Sequence, residues 1–159
     1  MAPKTPKTKN PGLLVGLERK PKLDRLGVPA GINHPSWRFV LVDVEHHGTW
    51  GWRYLTETKL REIVVFLKQM ERLSWQEVWL QQAGGHGRRG PKHKYIPIEH
   101  CDLDAQQRLG ELELEEYNES WFRFRLAGTE RLWGVLQEGV FYPVWWDHDH
   151  KVCPGNDRS

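Results

Sequence analysis

Three apolar segments, the first two arginine-bearing, close this 159-residue chain, and they constrain its fold more than anything before them. They read Trp121-Phe-Arg-Phe-Arg-Leu126, Arg131-Leu-Trp-Gly-Val-Leu136 and Val140-Phe-Tyr-Pro-Val-Trp-Trp146. Ala127-Gly-Thr-Glu130 and Gln137-Glu-Gly139 join them, glycine-bearing turns of hairpin length, so an antiparallel meander is predicted. Side chains alternate along a strand, so Phe122, Phe124 and Leu126 point one way and Trp121, Arg123 and Arg125 the other. One face then packs on the core, and an arginine-studded, solvated face is left for a phosphate-rich partner.

Upstream, Trp37-Arg-Phe-Val-Leu-Val-Asp-Val44 is a near-continuous apolar run and predicts a central strand buried on both faces. Residues 45–52 are rich in turn formers. Leu60, Ile63, Val64, Leu67, Met70 and Leu73 recur at helical spacing and predict a helix over 58–72 with Thr58 as N-cap. Ser74-Trp-Gln-Glu77 has the form of a capping box, opening a short helix that buries Trp75, Val78 and Trp79. A further helix is predicted over 102–116, capped by Asp102 and apolar at Leu103, Ala105, Leu109 and Leu112. A last strand is predicted to continue through 150–153 before Pro154-Gly155. Strands after helices joined by short turns give the fold class α+β: an antiparallel β-meander packed against two or three helices on one face.

Residues 34–154 read as a single α+β domain, preceded by a basic, proline-rich irregular arm at 1–33 and followed by a tail at 155–159. Net charge is only +2, so clustering matters more than the sum. The arm carries Lys4, Lys7, Lys9, Arg19, Lys20, Lys22 and Arg25 against Glu18 and Asp24. A basic loop insertion at 83–100 carries His86, Arg88, Arg89, Lys92, His93, Lys94 and His100. Cys101 and Cys153 are the only cysteines and read as reduced thiols, with a bridge between them left open. No apolar run is long enough to cross a membrane and no apolar signal core opens the chain, which predicts a cytoplasmic protein.

No phosphate-cradling glycine loop, nucleophile elbow or metalloprotease motif is present. Asp147-His-Asp-His150 on a strand would converge only two ligands on either side, so no metal and no cofactor is expected. Metal-free RNA cleavage fits the residues better. A base takes the proton of the 2′-hydroxyl, cations stabilise the phosphorane, and an acid protonates the leaving 5′-oxygen. Arginine suits the clamp because its fork binds two phosphate oxygens and stays charged; histidine suits either proton transfer near neutral pH. The candidate catalytic residues are Arg123, Arg125, Arg131, His150 and Lys151. The candidate RNA contacts are Arg88, Arg89, Lys92, His93 and Lys94, with Trp121 stacking on a base.

At these residues the closing segment resembles the core of RelE/YoeB-type toxins of toxin–antitoxin systems. Trp121–Leu126 is similar to their basic strand, Glu130-Arg-Leu-Trp133 to the strand carrying a characteristic arginine, Gln137-Glu-Gly139 to an acidic turn, and 140–151 to an apolar strand with a basic end. The likeness covers 121–153 by motif and 37–117 by element order only. The insertion at 83–100, the N-terminal arm and the 145–150 run depart from the pattern, and the late catalytic tyrosine or histidine has its best placement at His150. The resemblance implies a metal-independent endoribonuclease that cuts messenger RNA on the ribosome and is neutralised by a cognate antitoxin protein. The rival expectation is a non-enzymatic module that binds nucleic acid or protein through its aromatic meander and basic segments.

Overall fold

The structure, a computed structural model, describes residues 34–83 and 90–155. The meander forms as its turns dictate: β5 (Trp121–Arg125), β6 (Arg131–Gln137) and β7 (Val140–Asp147) pair antiparallel in succession. Glu138 and Gly139 both take positive φ, 53° and 75°, the left-handed pair a two-residue hairpin needs. Ahead of these strands lie β1 (Ser36–Trp37), α1 (Glu57–Glu71), α2 (Trp75–Leu80), β2 (Gln82–Ala83), β3 (Gly90–Pro91), β4 (Lys94–Tyr95) and α3 (Leu103–Glu111). The main sheet runs β1-β7-β6-β5-β4, with β1 parallel to β7, and β2 pairs separately with β3. The class is mixed α+β.

Helices cover both faces of the sheet, not one. On the first face Phe122, Phe124, Leu132, Leu136, Phe141 and Trp146 pack with Ile63, Leu67 and Met70 of α1 and Trp75 and Val78 of α2. On the second, Trp121, Trp133, Val135, Val144 and Trp145 pack with Ala105 and Leu109 of α3, Tyr117 of a 3-10 segment, and Val152 and Cys153 of the tail. These are called the phenylalanine face and the tryptophan face below. Truncating one such buried tryptophan to alanine removes roughly 3–5 kcal/mol.

The caps explain where the helices start. Thr56, not Thr58, accepts the first free amide of α1, from Lys59 N at 3.2 Å. The capping box of α2 forms as read, with Ser74 and Glu77 bonding each other's backbone. Asp102 caps α3 as read, but α3 stops at Glu111, and Leu103 stays exposed to solvent.

The central strand predicted at 37–44 is a correction. Only Ser36–Trp37 pairs, at the sheet edge, and Phe39, Val40 and Val44 are exposed. Arg38 N donates to Phe141 O at 3.1 Å, and the next rung would take a donor from position 143. Pro143 has none, so the ladder ends. The same proline lies opposite Gly134, where the β6–β7 register shifts and Val144 has no partner on β6. This bulge turns the Val144 carbonyl outward to accept Asp43 N at 3.0 Å and Trp52 Nε1 at 2.8 Å.

Candidate functional site

Register places the three arginines on one face, as alternation requires. Lys94 pairs with Arg123, which pairs with Trp133; Arg125 pairs with Arg131, which pairs with Asp147. All project on the tryptophan face at one end of the sheet. The expected solvated setting is not met: Arg123 and Arg131 are each 1 % exposed, and only Arg125 is half-buried. Helix α3, the 3-10 segment Glu115–Ser120 and the tail supply a second layer that alternation along a strand does not reveal. Arg131 Nη1 donates to the carbonyls of Gly128 at 2.8 Å and Glu130 at 2.9 Å, bracing the β5–β6 turn. Arg123 Nη2 donates to Lys92 O at 3.4 Å. Trp121 is fully buried and stacks on Trp133 at 5.8 Å between ring centroids, so its expected role in stacking on an RNA base is corrected.

His93 is likewise corrected from loop contact to core pin. It is fully buried, its Nδ1 accepts Arg125 N–H at 3.0 Å, and its Nε2 lies 3.0 Å from Gln81 Oε1. Both ring nitrogens are therefore engaged, with the proton on Nε2 to serve Gln81. Burial, then the charges of Lys92, Arg123 and Arg125, push its pKa down to about 3. The folded pKa lies below the unfolded value near 6.5, so the neutral ring contributes stability that is full above pH 6.5 and fades as pH falls toward 3. Urea melts should accordingly show a loss on the order of a few kcal/mol across that window, much reduced in His93→Phe.

Residues 150–153 form no strand. The chain turns after β7, and the fully buried Asp147 carboxylate closes the turn by accepting Lys151 N and Val152 N, each at 2.9 Å, and Trp133 Nε1 at 3.3 Å. His150 takes φ 57° in this turn, and Lys151 is exposed. Thr129 Oγ1 donates to His148 O at 2.8 Å and ties the turn to the β5–β6 hairpin that Arg131 braces. His150 and Lys151 thus follow directly on the arginine end of the sheet. Lys92 and Lys94 are half-buried there, and Arg88 and Arg89 lie outside the described residues. Among the described residues no three His, Cys, Asp or Glu side chains group as metal ligands, and no helix is long and apolar enough to cross a membrane.

Two features had no sequence signal. Asp43, 5 % exposed, accepts Arg108 Nε at 2.9 Å and Nη2 at 2.7 Å, and Trp145 Nε1 at 2.9 Å. This network joins α3 to the sheet beside a cleft of about 380 Å³, where His46 stacks on Trp50 at 4.4 Å. A groove of about 640 Å³ lies between α1 and the β5–β6 turn, lined by Val65, Phe66, Leu126 and Ala127 with Glu57, Glu62 and Glu130 at its rim. No protein-family model matches the chain, and neither a curated protein nor a solved structure does.

Proposed function

We propose that this chain binds RNA through the cationic end of its tryptophan face. The observation that carries the reading is the crowding of positive charge at that end. Lys94, Arg123, Arg125 and Arg131 occupy adjoining register positions, and Lys151 follows on the next turn. Of the carboxylates near that end among the described residues, Asp147 already accepts three N–H groups, Glu130 pairs with Lys59 and Asp149 lies beside His148. Burial is the larger cause of the depressed His93 pKa, and the charges of Lys92, Arg123 and Arg125 add to it. Arg125 and Lys151 reach solvent and make the phosphate contacts; Arg123 and Arg131 lie behind them and shape the end of the sheet.

A second reading is a RelE-like, metal-independent endoribonuclease with an antitoxin partner. The observation favouring it is that the turn bearing His150 and Lys151 is tied to the hairpin that Arg131 braces. On this reading His150 is the acid or base, and the buried arginines must gain access to the scissile phosphate. The test is binding of single-stranded RNA at several salt concentrations, with product analysis with and without ribosomes and chelator. Arg125→Glu and Lys151→Glu should weaken binding, each lowering the salt slope by about one. Chelator-resistant products lost in His150→Gln would support the nuclease, whereas intact RNA bound tightly would support the module. Binding unaltered in both charge reversals would overturn the interface.

A further inference from the structure

Beyond the arginine end, the tryptophan-face core contains a pair of thiols that the RNA reading does not use. Cys101 precedes α3 and Cys153 lies in the tail, 5 % and 0 % exposed, and neither is in a disulfide. The backbones on which they stand are already joined: Asp102 N donates to Val152 O at 2.8 Å. Cys101 and Cys153 are the immediate chain neighbours of the two residues so joined. The Cys101 side chain is hydrogen-bonded to that of Cys153, and Cys153 Sγ lies 2.9 Å from His100 O. Disulfide formation needs two thiols on closely apposed backbone, and the Asp102–Val152 bond and the Cys101–Cys153 side-chain contact bring these two together.

We propose that Cys101 and Cys153 are an oxidative modification site, a dithiol that a small-molecule disulfide converts into an intramolecular bridge stapling the tail to the start of α3. The chemistry balances as two exchanges. The Cys153 thiolate, exposed when the tail opens, attacks one sulfur of the external disulfide; a mixed disulfide forms and one external thiolate leaves. On closure Cys101 sulfur attacks Cys153 sulfur, the protein S–S bond forms, and the second external thiolate leaves. The two protons of the protein thiols end on the two external thiols. The protein loses two electrons and the external disulfide gains them.

The closed state sets the rate. The neighbouring Cys153 thiol, and then burial, push the Cys101 thiol far above its ordinary pKa, so little thiolate exists until the tail opens. Opening exposes Cys153 when the segment that carries it gives up the Asp102–Val152 bond, the two amides on Asp147, the His100 carbonyl and the packing of Val152 and Cys153 on the tryptophan face. Oxidation is therefore slow in native buffer and faster at urea concentrations below the unfolding transition. Once made, the bridge holds the turn bearing His150 and Lys151 two residues upstream.

The experiment uses the full chain with oxidised glutathione at mildly alkaline pH, in native buffer and in sub-denaturing urea. Intact mass, alkylation after denaturation and peptide mapping are read together. The expected product is monomeric, lighter by two hydrogens, free of glutathione, without alkylatable thiol, and yields a linked peptide containing Cys101 and Cys153. Its thermal midpoint rises and returns on reduction, and amide exchange slows over 148–153. Cys101→Ser should stop at a glutathione adduct on Cys153. Two alkylatable thiols surviving in both buffers, a stable glutathione adduct on the unsubstituted chain, or a bridge between molecules would overturn the proposal.

Discussion

Asp43→Ala is expected to destabilise the fold by about 3–5 kcal/mol, read as a lowered urea midpoint at neutral pH. The carboxylate is almost fully buried and accepts a bidentate Arg108 guanidinium and the Trp145 indole N–H. Removing it leaves the Trp145 indole N–H without its acceptor and Arg108 with Glu111 as its remaining carboxylate partner, the costly way to break such a network. The partial rescue to look for is Arg108→Met in the Asp43→Leu background, which replaces both charges with apolar groups. Acid should erode the same contribution. Burial acts to raise the Asp43 pKa, but the Arg108 and Trp145 hydrogen bonds and the Arg108 charge outweigh it and hold the pKa below 3.8. The stabilisation is therefore present above the unfolded value near 3.8 and is lost as pH falls through the lower folded value. Asp43→Ala should cost much less at pH 2 than at pH 7; an equal cost at both would sink this account.

Gly134→Ala is expected to cost about 3 kcal/mol by the same measurement, an unusual penalty for one methyl group. A Cβ at this position would overlap the Tyr142 backbone carbonyl, and Phe141 Cζ would stand 2.8 Å away. The carbonyl belongs to the neighbouring strand beside the bulge, so relief requires moving β7 and not merely turning a side chain. Gly128→Ala is the comparison. Nothing lies within 4 Å of its Cβ position, and only its φ of 57° resists substitution, at roughly 1 kcal/mol. Equal penalties at the two glycines would show that β6 and β7 can part freely.

The meander was legible because glycine turns and strict alternation are local signals. They place β5 through β7, and they put Arg123, Arg125 and Arg131 on a common face. Alternation gives facing direction but is silent about what lies opposite. Arg123 is buried with a donor on the Lys92 carbonyl, and Arg131 is buried with its donors turned back on the Gly128 and Glu130 carbonyls, contacts that facing direction does not reveal. The apolar run at 37–44 misled for a related reason: the donor that would have extended its pairing is missing at Pro143, a hundred residues later in the chain. His93 carried an ambiguous signal, since a histidine among lysines in a glycine-rich stretch reads as a solvent contact. Its burial follows from β4 joining the sheet edge and bringing the ring against Phe66 and Phe124. Asp43 and Arg108 are separated by 65 positions, and no spacing rule links them.

The unpaired residue at Val144 also sets parity. Every side chain beyond it points opposite to where an unbroken two-residue repeat would send it, so Val144 and Trp145 both face the tryptophan layer and Trp146 the other. Asp147 inherits that inversion. Counted evenly from Phe141, its carboxylate would enter the aliphatic layer of Ile63 and Leu67, with no amide to receive. Because the ladder skips the unpaired residue, the carboxylate instead reaches Lys151, Val152 and Trp133. Deleting Val144 should therefore make the β6–β7 ladder regular with Asp147 still on the tryptophan face, and its cost should come from losing the carbonyl that accepts Asp43 N and Trp52 Nε1.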